Sequence, residues 1–296
     1  MNILLSGASG LIGTACRLEF RRAGHEVAAL SRDGAGSGIP WEVSTGRLYL
    51  QDFAPDAVIH LAGESLANGR WSEQKMKEIR ASRVDATQKL AEWLAELPAP
   101  PKIFLSASAI GLYGTKADRW LIETSPNAGD FLGQLSADWE RATQPLERAG
   151  SRVVNMRIGV VLSPNGGALA KLLPFFRLGL GGPLGSGDQF MSWIALEDAV
   201  RAILFLLEHD NVSGPVNLVS PNPVTNAEFT QILSYVLRRP AFLRVPGSIL
   251  HLLYGDMAES ALLASQRVKP QSLLELGFHW NHPELEGALR SMLQKR

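Results

Sequence analysis

Residues 2–13 read Asn2-Ile3-Leu4-Leu5-Ser6-Gly7-Ala8-Ser9-Gly10-Leu11-Ile12-Gly13, and the fold turns on them. Asn2–Ser6 is a short apolar run of strand character. Leu11–Ala23 has helical spacing and stops at Gly24, a residue suited to the left-handed cap that closes helices. The three glycines between and within these runs therefore occupy a strand–turn–helix context. Gly7 permits the sharp turn, Gly10 lets the backbone approach a phosphate, and Gly13 lets helix and strand pack closely. The free N–H groups at the helix start add partial positive charge at the same place. Glycine spacing by itself is a weak signal, but between a strand and a helix it marks a dinucleotide pyrophosphate site. Gly7, Ser9, Gly10, Leu11, Ile12 and Gly13 are the expected binding turn.

Working outward, Glu26–Leu30, Val58–Ala62, Lys102–Ser108 and Arg152–Leu162 read as further strands. Between them, Ser72–Leu97 is helical, with Met76, Ile79, Arg83, Ala86, Leu90, Leu94 and Leu97 on one face. Leu135–Ala149 is a second helix, bent near Pro145. Asp33–Asp56 is rich in Gly and Pro and too weakly patterned to assign. This alternation predicts an α/β protein with a Rossmann-type doubly wound parallel sheet over residues 1–240. Beyond the last of these strands come a loop at Gly179–Gly187, an apolar helix at Leu196–Glu208, a strand at Val216–Val219 and a Thr225-capped helix reaching Leu237. Residues 245–293 predict a small, mostly helical C-terminal portion.

Composition narrows the function classes. Lys+Arg and Asp+Glu both number 29 in 296 residues, so no bulk charge draws the chain to nucleic acid or to a membrane. The seven tryptophans neither recur periodically nor alternate with basic residues, so no stacking platform for nucleic acid is expected. No apolar run suffices to span a bilayer, and the helix Leu196–Glu208 carries Glu197, Asp198 and Arg201, so it reads as a packing helix. Met1–Leu5 lacks a basic leader and reads as a strand, which points to a cytoplasmic protein. Cys16 has no partner for an internal disulfide and reads as a small buried residue. The six histidines show no ligand spacing, so no metal is expected.

The second strand ends in Ala29-Leu30-Ser31-Arg32, with no acid before Asp33. A carboxylate there would hold the ribose hydroxyls of NAD, whereas a hydroxyl and a guanidinium suit a 2′-phosphate, so NADP(H) is the expected cofactor. Leu61 and Ala62 are expected on the adenosine side and Val160 toward the nicotinamide. A lone Arg83 on an apolar helix face either pairs with a buried carboxylate or points into the cofactor cleft. Glu64 follows the third strand at the sheet end where α/β ligands bind, and reads equally as a loop cap. The glycine-rich Gly179–Gly187 is expected to wall the substrate pocket.

These residues resemble the extended short-chain dehydrogenase/reductase group, the NAD-dependent epimerase/dehydratase-like proteins. The resemblance rests on the turn Gly7–Gly13, His60-Leu61-Ala62-Gly63, Ser106-Ala107-Ser108 leading to Tyr113-Gly114, and Glu123-Thr124-Ser125-Pro126. Ala62-Gly63-Glu64, Arg70-Trp71, Ser82-Arg83, the run Gly179–Gly187 and Ser192-Trp193-Ile194 are similar to a narrower branch, the bacterial YfcH-like epimerase family proteins. That branch has a short extra C-terminal domain, which Val245-Pro246, Gly255-Asp256, Gln266-Arg267-Val268 and Leu276-Gly277-Phe278 resemble.

The resemblance implies a Tyr-x-x-x-Lys pair after the serine strand, in which tyrosine exchanges the proton during hydride transfer and lysine lowers its pKa. Counting back from Glu140 puts Leu132 and Ser136 at those positions, and neither does that chemistry. Three readings stay open: an oxidoreductase or epimerase of an unnamed small molecule that uses Ser108, Tyr113 and Glu64; an NADP(H)-binding sensor without turnover; and a cofactor-bearing scaffold for a protein partner. The sequence sets no oligomeric state.

Overall fold

In the computed structural model, which describes residues 1–32, 38–66 and 70–294, short apolar runs become strands of one eight-stranded sheet. The first half comprises β1 (Asn2–Ser6), α1 (Leu11–Arg22), β2 (Glu26–Ser31), β3 (Ile39–Glu42), β4 (Arg47–Leu48), β5 (Ala57–His60), α2 (Glu73–Arg80), α3 (Ala86–Ala95) and β6 (Ile103–Ala109). Then follow β7 (Trp120–Leu121), α4 (Phe131–Arg141), α5 (Gln144–Arg148), β8 (Arg152–Ile158), β9 (Val160–Leu162), α6 (Gly167–Arg177), β10 (Phe190–Met191), β11 (Trp193–Ala195) and α7 (Leu196–Glu208). The remainder is β12 (Gly214–Leu218), β13 (Val224–Thr225), α8 (Asn226–Leu237), α9 (Gly247–Tyr254), β14 (Arg267–Val268), α10 (Gln271–Glu275) and α11 (Leu285–Leu293).

The sheet order is β12-β8-β6-β5-β1-β2-β3-β4, parallel throughout except for the antiparallel β3–β4 edge. From β1 the chain moves outward through β2 and β3, then returns to the other side of β1 for β5, β6, β8 and β12. The order reverses between β1 and β5, and ligands of open α/β sheets bind in the crevice beyond the strand ends at such a point. The strands are buried on both faces, which explains their continuous apolar runs (Ile3, Leu4 and Leu5; Val58 and Ile59; Phe104 and Leu105).

Several elements differ from the sequence expectation. Part of the unassigned stretch forms β3 and β4, whose Trp41 and Leu48 are buried over α3; Asp33 and the four residues after it lie outside the described residues. The long helix expected over Ser72–Leu97 is α2 and α3 joined by a π-helical turn at Ala81–Asp85. The helix expected at Leu135–Ala149 begins at Phe131, because Asp130 caps it by accepting from the Gly133 N–H at 2.7 Å, and it divides before α5. The strand Arg152–Leu162 breaks at Gly159, where β9 leaves to pair with β11.

Residues 245–293 do not pack around a centre of their own. Their buried Met257, Val268, Leu273, Phe278, Leu285 and Leu289 each join an apolar cluster shared with residues before 240. Among the described residues no helix is long and apolar enough to cross a membrane.

Candidate cofactor groove

The turn after β1 is built around close backbone contacts. Gly7 has φ +67°, and a Cβ on it would lie 2.7 Å from the Leu61 carbonyl carbon and oxygen. A Cβ on Gly13 would lie 2.2 Å from the Gly7 oxygen, so α1 can start this near the turn only with glycine there. Gly10 caps α1 with no side-chain hydrogen bond, and the first turn holds no acid, which leaves the helix N-terminus open toward the groove.

That groove, about 690 Å3, runs across the β1/β5 switch point. Gly7, Ala8, Ser9 and Gly10 line its floor, Ser31 and Arg32 the end of β2, and Leu61, Ala62, Gly63 and Glu64 the exit of β5. Leu11, Ile12, Gly13, Arg83 and Val160 do not line it. Ile12 packs into the main core, Leu11 against Gly166, and Val160 is tied to β11 by its N–H to Ser192. Among the lining residues that escaped the sequence reading, three bear on a ligand. Arg17 and Arg21, one helical turn apart on α1, bring two more guanidinium groups, and Trp41 brings a buried indole Nε1–H without a hydrogen-bond partner. The signal for the arginines was present in their i, i+4 spacing on the first helix. The glycine cradle, the bare helix start, the arginines and the orphaned indole donor all fit a phosphate-bearing dinucleotide.

Beneath the groove, buried polar groups fix the strand ends. His60 is fully buried, and burial lowers its pKa to about 4. Ser6 Oγ accepts from the N–H groups of Leu61 (3.1 Å) and Ala62 (3.2 Å), so its own hydrogen goes to His60 Nδ1 at 2.7 Å. His60 is then a neutral Nε2–H tautomer donating to Thr87 Oγ1 at 2.9 Å, and Thr87 also accepts from the Trp139 indole.

The three residues expected to do chemistry are not brought together. Glu64 lines the groove, where the Lys75 Nζ at 2.6 Å holds its carboxyl below the usual range, with Arg32 and Arg83 adding to the effect. The Glu64 backbone N–H donates to Ser82 Oγ on the π-helical turn at 3.0 Å. Ser108 and Tyr113 lie in a separate buried network. Ser108 Oγ donates to Glu140 Oε1 at 2.7 Å, and Glu140 accepts from the Arg157 Nε (2.7 Å) and Nη2 (2.8 Å). Burial alone would lower the Arg157 pKa, but its bonds to Glu140 outweigh that and raise it. The Tyr113 hydroxyl donates to Asn217 Oδ1 at 2.7 Å and accepts from Arg157, and burial pushes its pKa up. Tyr113 is therefore a fully enclosed phenol with both hydrogen-bonding directions in use.

At the positions of the expected dyad, Leu132 and Ser136 are buried, and Leu132 belongs to an apolar cluster with Trp71, Met257 and the half-buried Leu262. Arg83 pairs with no carboxylate among the described residues. Its guanidinium stacks on Trp139 at 5.2 Å and reaches the Ile79 carbonyl only at 3.5 Å, directly behind Gly63. Burial lowers its pKa to about 10, partly countered by Glu64. The described residues contain no group of three or more side chains suited to a metal, and burial raises the Cys16 thiol to about 12.

Comparison with known proteins agrees with this architecture. The family model described as the NAD dependent epimerase/dehydratase family matches residues 3–219, and one described as a domain of unknown function (DUF1731) matches residues 245–292. Epimerase family protein Mb2239 of Mycobacterium bovis is 41% identical over 97% of this chain and 96% of its own length. The human epimerase family protein SDR39U1 is 37% identical over 99% of this chain and 100% of its own. The crystal structure of human SDR39U1 with NADPH superposes with a TM-score of 0.94, at 36% identity over 100% of both chains. A Corynebacterium glutamicum nucleoside-diphosphate sugar epimerase superposes at 0.81, with 33% identity over 99% of this chain and 58% of that one. The chain belongs to the NAD-dependent epimerase/dehydratase family.

Proposed function

We propose that the chain binds NADPH in preference to NADH, and that it does so without the tyrosine–lysine dyad implied by its wider group. The observation that carries the preference is the lining of the groove around the end of β2. Ser31 and Arg32 line it there, Arg17 and Arg21 line it from α1 with Arg21 donating to the Val27 carbonyl near the start of β2, and Glu64, beyond β5, is the groove's sole carboxylate among the described residues. The hydroxyl of Ser31 and the guanidinium of Arg32 favour a 2′-phosphate over the bare ribose hydroxyls of NAD, and Arg17 and Arg21 add positive charge along the groove. The NADPH held by the human relative supports the same choice. In this reading the uncapped N-terminus of α1, with the Leu11 and Ile12 amides just behind the groove floor, faces the pyrophosphate, while the Gly10 N–H closes the turn onto the Gly7 carbonyl. Leu61 and Ala62 flank the adenosine, Val160 stands toward the nicotinamide end, and Arg83 lends positive charge from behind Gly63. Replacing Arg32 with alanine removes one charge-assisted contact, about 1.5–3 kcal/mol. Calorimetric titration of Arg32→Ala is expected to show that loss for NADPH and little change for NADH. Equal losses for both cofactors would refute the assignment.

A second reading, turnover as an oxidoreductase or epimerase, is favoured by the Glu64–Lys75 pair. When bound, NADPH supplies a hydride, and the protein must then supply a proton. Lys75 Nζ, 2.6 Å from the Glu64 carboxylate that lines the groove, is the proton donor this reading assigns to a carbonyl oxygen undergoing reduction. With a panel of carbonyl compounds, Lys75→Met is expected to abolish NADPH oxidation while leaving NADPH affinity within about twofold. If the unaltered protein binds NADPH tightly and oxidises it with none of the panel, the second reading falls and the first stands.

A further inference from the structure

The apolar residues left well exposed are not scattered. Most fall in two short segments, the end of α6 with the loop after it and the stretch from Phe242 through α9. Leu178 is 73% exposed, and Phe242 and Leu252 are each 74%, with Phe175, Ile249 and Leu253 beside them in sequence. The two segments touch along their length. The Leu243 N–H donates to the Gly181 oxygen at 3.0 Å, the Val245 N–H to the Pro183 oxygen at 2.9 Å, and Gly179 packs on Pro240. Helix α9 leaves directly from this strip and buries only Leu250 inward, so Ile249, Leu252 and Leu253 (positions i, i+3, i+4) point outward. The result is an apolar strip continued by the outward side of α9. Monomeric proteins rarely leave so continuous an apolar surface without a use.

The charged residues within and beside these two segments in sequence are of one sign. From Gly166 to Gly187 and from Phe229 to Gly255 there is no Asp or Glu, while Lys171, Arg177, Arg238, Arg239 and Arg244 are all cationic. The acids that border these stretches are Asp188, Glu228 and Asp256; Glu228 is engaged in the Thr225 capping box, and Glu259, beyond Asp256, is bonded to His251. This asymmetry sits in a molecule whose net charge is zero. Pairing with a second copy about a two-fold axis would set arginines against the same arginines, which disfavours self-association. An outward apolar helix flanked by arginines is instead the arrangement that lies in a lipid interface, its apolar residues among acyl chains and its guanidinium groups on phosphates.

We propose that this face, made by the end of α6, the strip at Phe242–Val245 and α9, docks the protein onto a bilayer surface containing anionic phospholipids. The sequence reading expected no membrane contact from net charge, from the lack of a bilayer-spanning apolar run and from the packing character of Leu196–Glu208, and none of these addresses a one-sided surface elsewhere on the molecule.

Co-sedimentation with vesicles tests the proposal. The full chain is expected to pellet with phosphatidylcholine/phosphatidylglycerol vesicles, to remain in solution with phosphatidylcholine alone, and to be released by raised salt. Two double variants, Phe242→Ser/Leu252→Ser and Arg177→Glu/Arg244→Glu, are each expected to weaken vesicle binding about tenfold or more. Both alter exposed side chains, so their melting temperatures and NADPH binding serve as folding controls. Failure to pellet with the anionic vesicles would overturn the proposal, as would binding that both variants leave unchanged. A dimer in light scattering that Phe242→Ser/Leu252→Ser dissolves, without vesicle binding, would also overturn it and assign the face to a second copy.

Discussion

His60 shows how one buried side chain makes stability depend on pH. It touches only neutral groups: Ser6 and Thr87 by hydrogen bonds, and the rings of Trp41 and Phe104. With no carboxylate to stabilise an imidazolium, burial holds its pKa at about 4, below the ordinary 6.5. Between those values the unfolded chain binds a proton that the folded chain refuses, so stability falls as the pH drops through that window and is unaffected above it. The slope is about 1.4 kcal/mol per pH unit, for a total on the order of 3 kcal/mol. Urea unfolding at several pH values from 7.5 to 4.5 is expected to show this loss, and His60→Asn should flatten it by about that amount, though from a lower starting stability. A variant with an unchanged acid slope would place the proton elsewhere. The sequence already pointed to a core histidine, because a lone His at the end of an apolar strand has few other uses. It did not reveal the tautomer, which depends on Ser6 and Thr87 arriving from β1 and the start of α3. Trp41 was equally illegible: nothing in Ile39-Pro40-Trp41-Glu42 says that the indole turns toward the groove.

At the scale of elements, legibility followed the length and repetition of the pattern. β1, α1, β2 and α7 were readable because each carries several apolar residues in one period and a clear boundary. β3 and β4 were not, since strands of four and two residues with a proline in the first give periodicity nothing to repeat. The π-helical turn was hidden for a different reason. Spacings of three or four tolerate one extra residue, so the apolar stripe runs unbroken through Ile79, Ala86 and Leu90 while the backbone widens between them. That widening serves the groove. It places Ser82 Oγ to accept the Glu64 N–H at 3.0 Å while donating to the Ile79 carbonyl, which anchors the loop after β5 to the helix pair. The absent dyad could be read from Leu132 and Ser136 alone. That Leu132 joins an apolar cluster with Trp71, Met257 and Leu262 could not, because those side chains come from distant segments that only the tertiary fold brings together.

Across the whole molecule, the C-terminal portion is held by buried carboxylates as well as by shared apolar packing. Asp198, fully buried near the start of α7, accepts from the N–H groups of Asn281 and His282 at 2.8 Å each and from Arg201 at 3.2 Å. Glu123 does the same on another side, accepting from the N–H groups of Asn217 in β12 and Ser272 in α10. With Leu273 and Phe278 in the main core and Leu285 and Leu289 packed with α8, residues 245–293 cannot separate without opening the α/β core. Asp198→Ala leaves two half-buried amides without their acceptor and leaves Arg201 with only the His279 carbonyl, a loss of about 3 kcal/mol. Because the portion shares its cores, that loss is expected to appear as one cooperative transition at lower denaturant, with slowed exchange lost together in β1, β8 and α10. The alternative is a tail that melts alone: amide exchange accelerated only over residues 271–293, with the global midpoint unmoved. That result would mean the shared clusters bind the C-terminal portion more loosely than their burial implies, and would make it a separable domain in energy as well as in sequence.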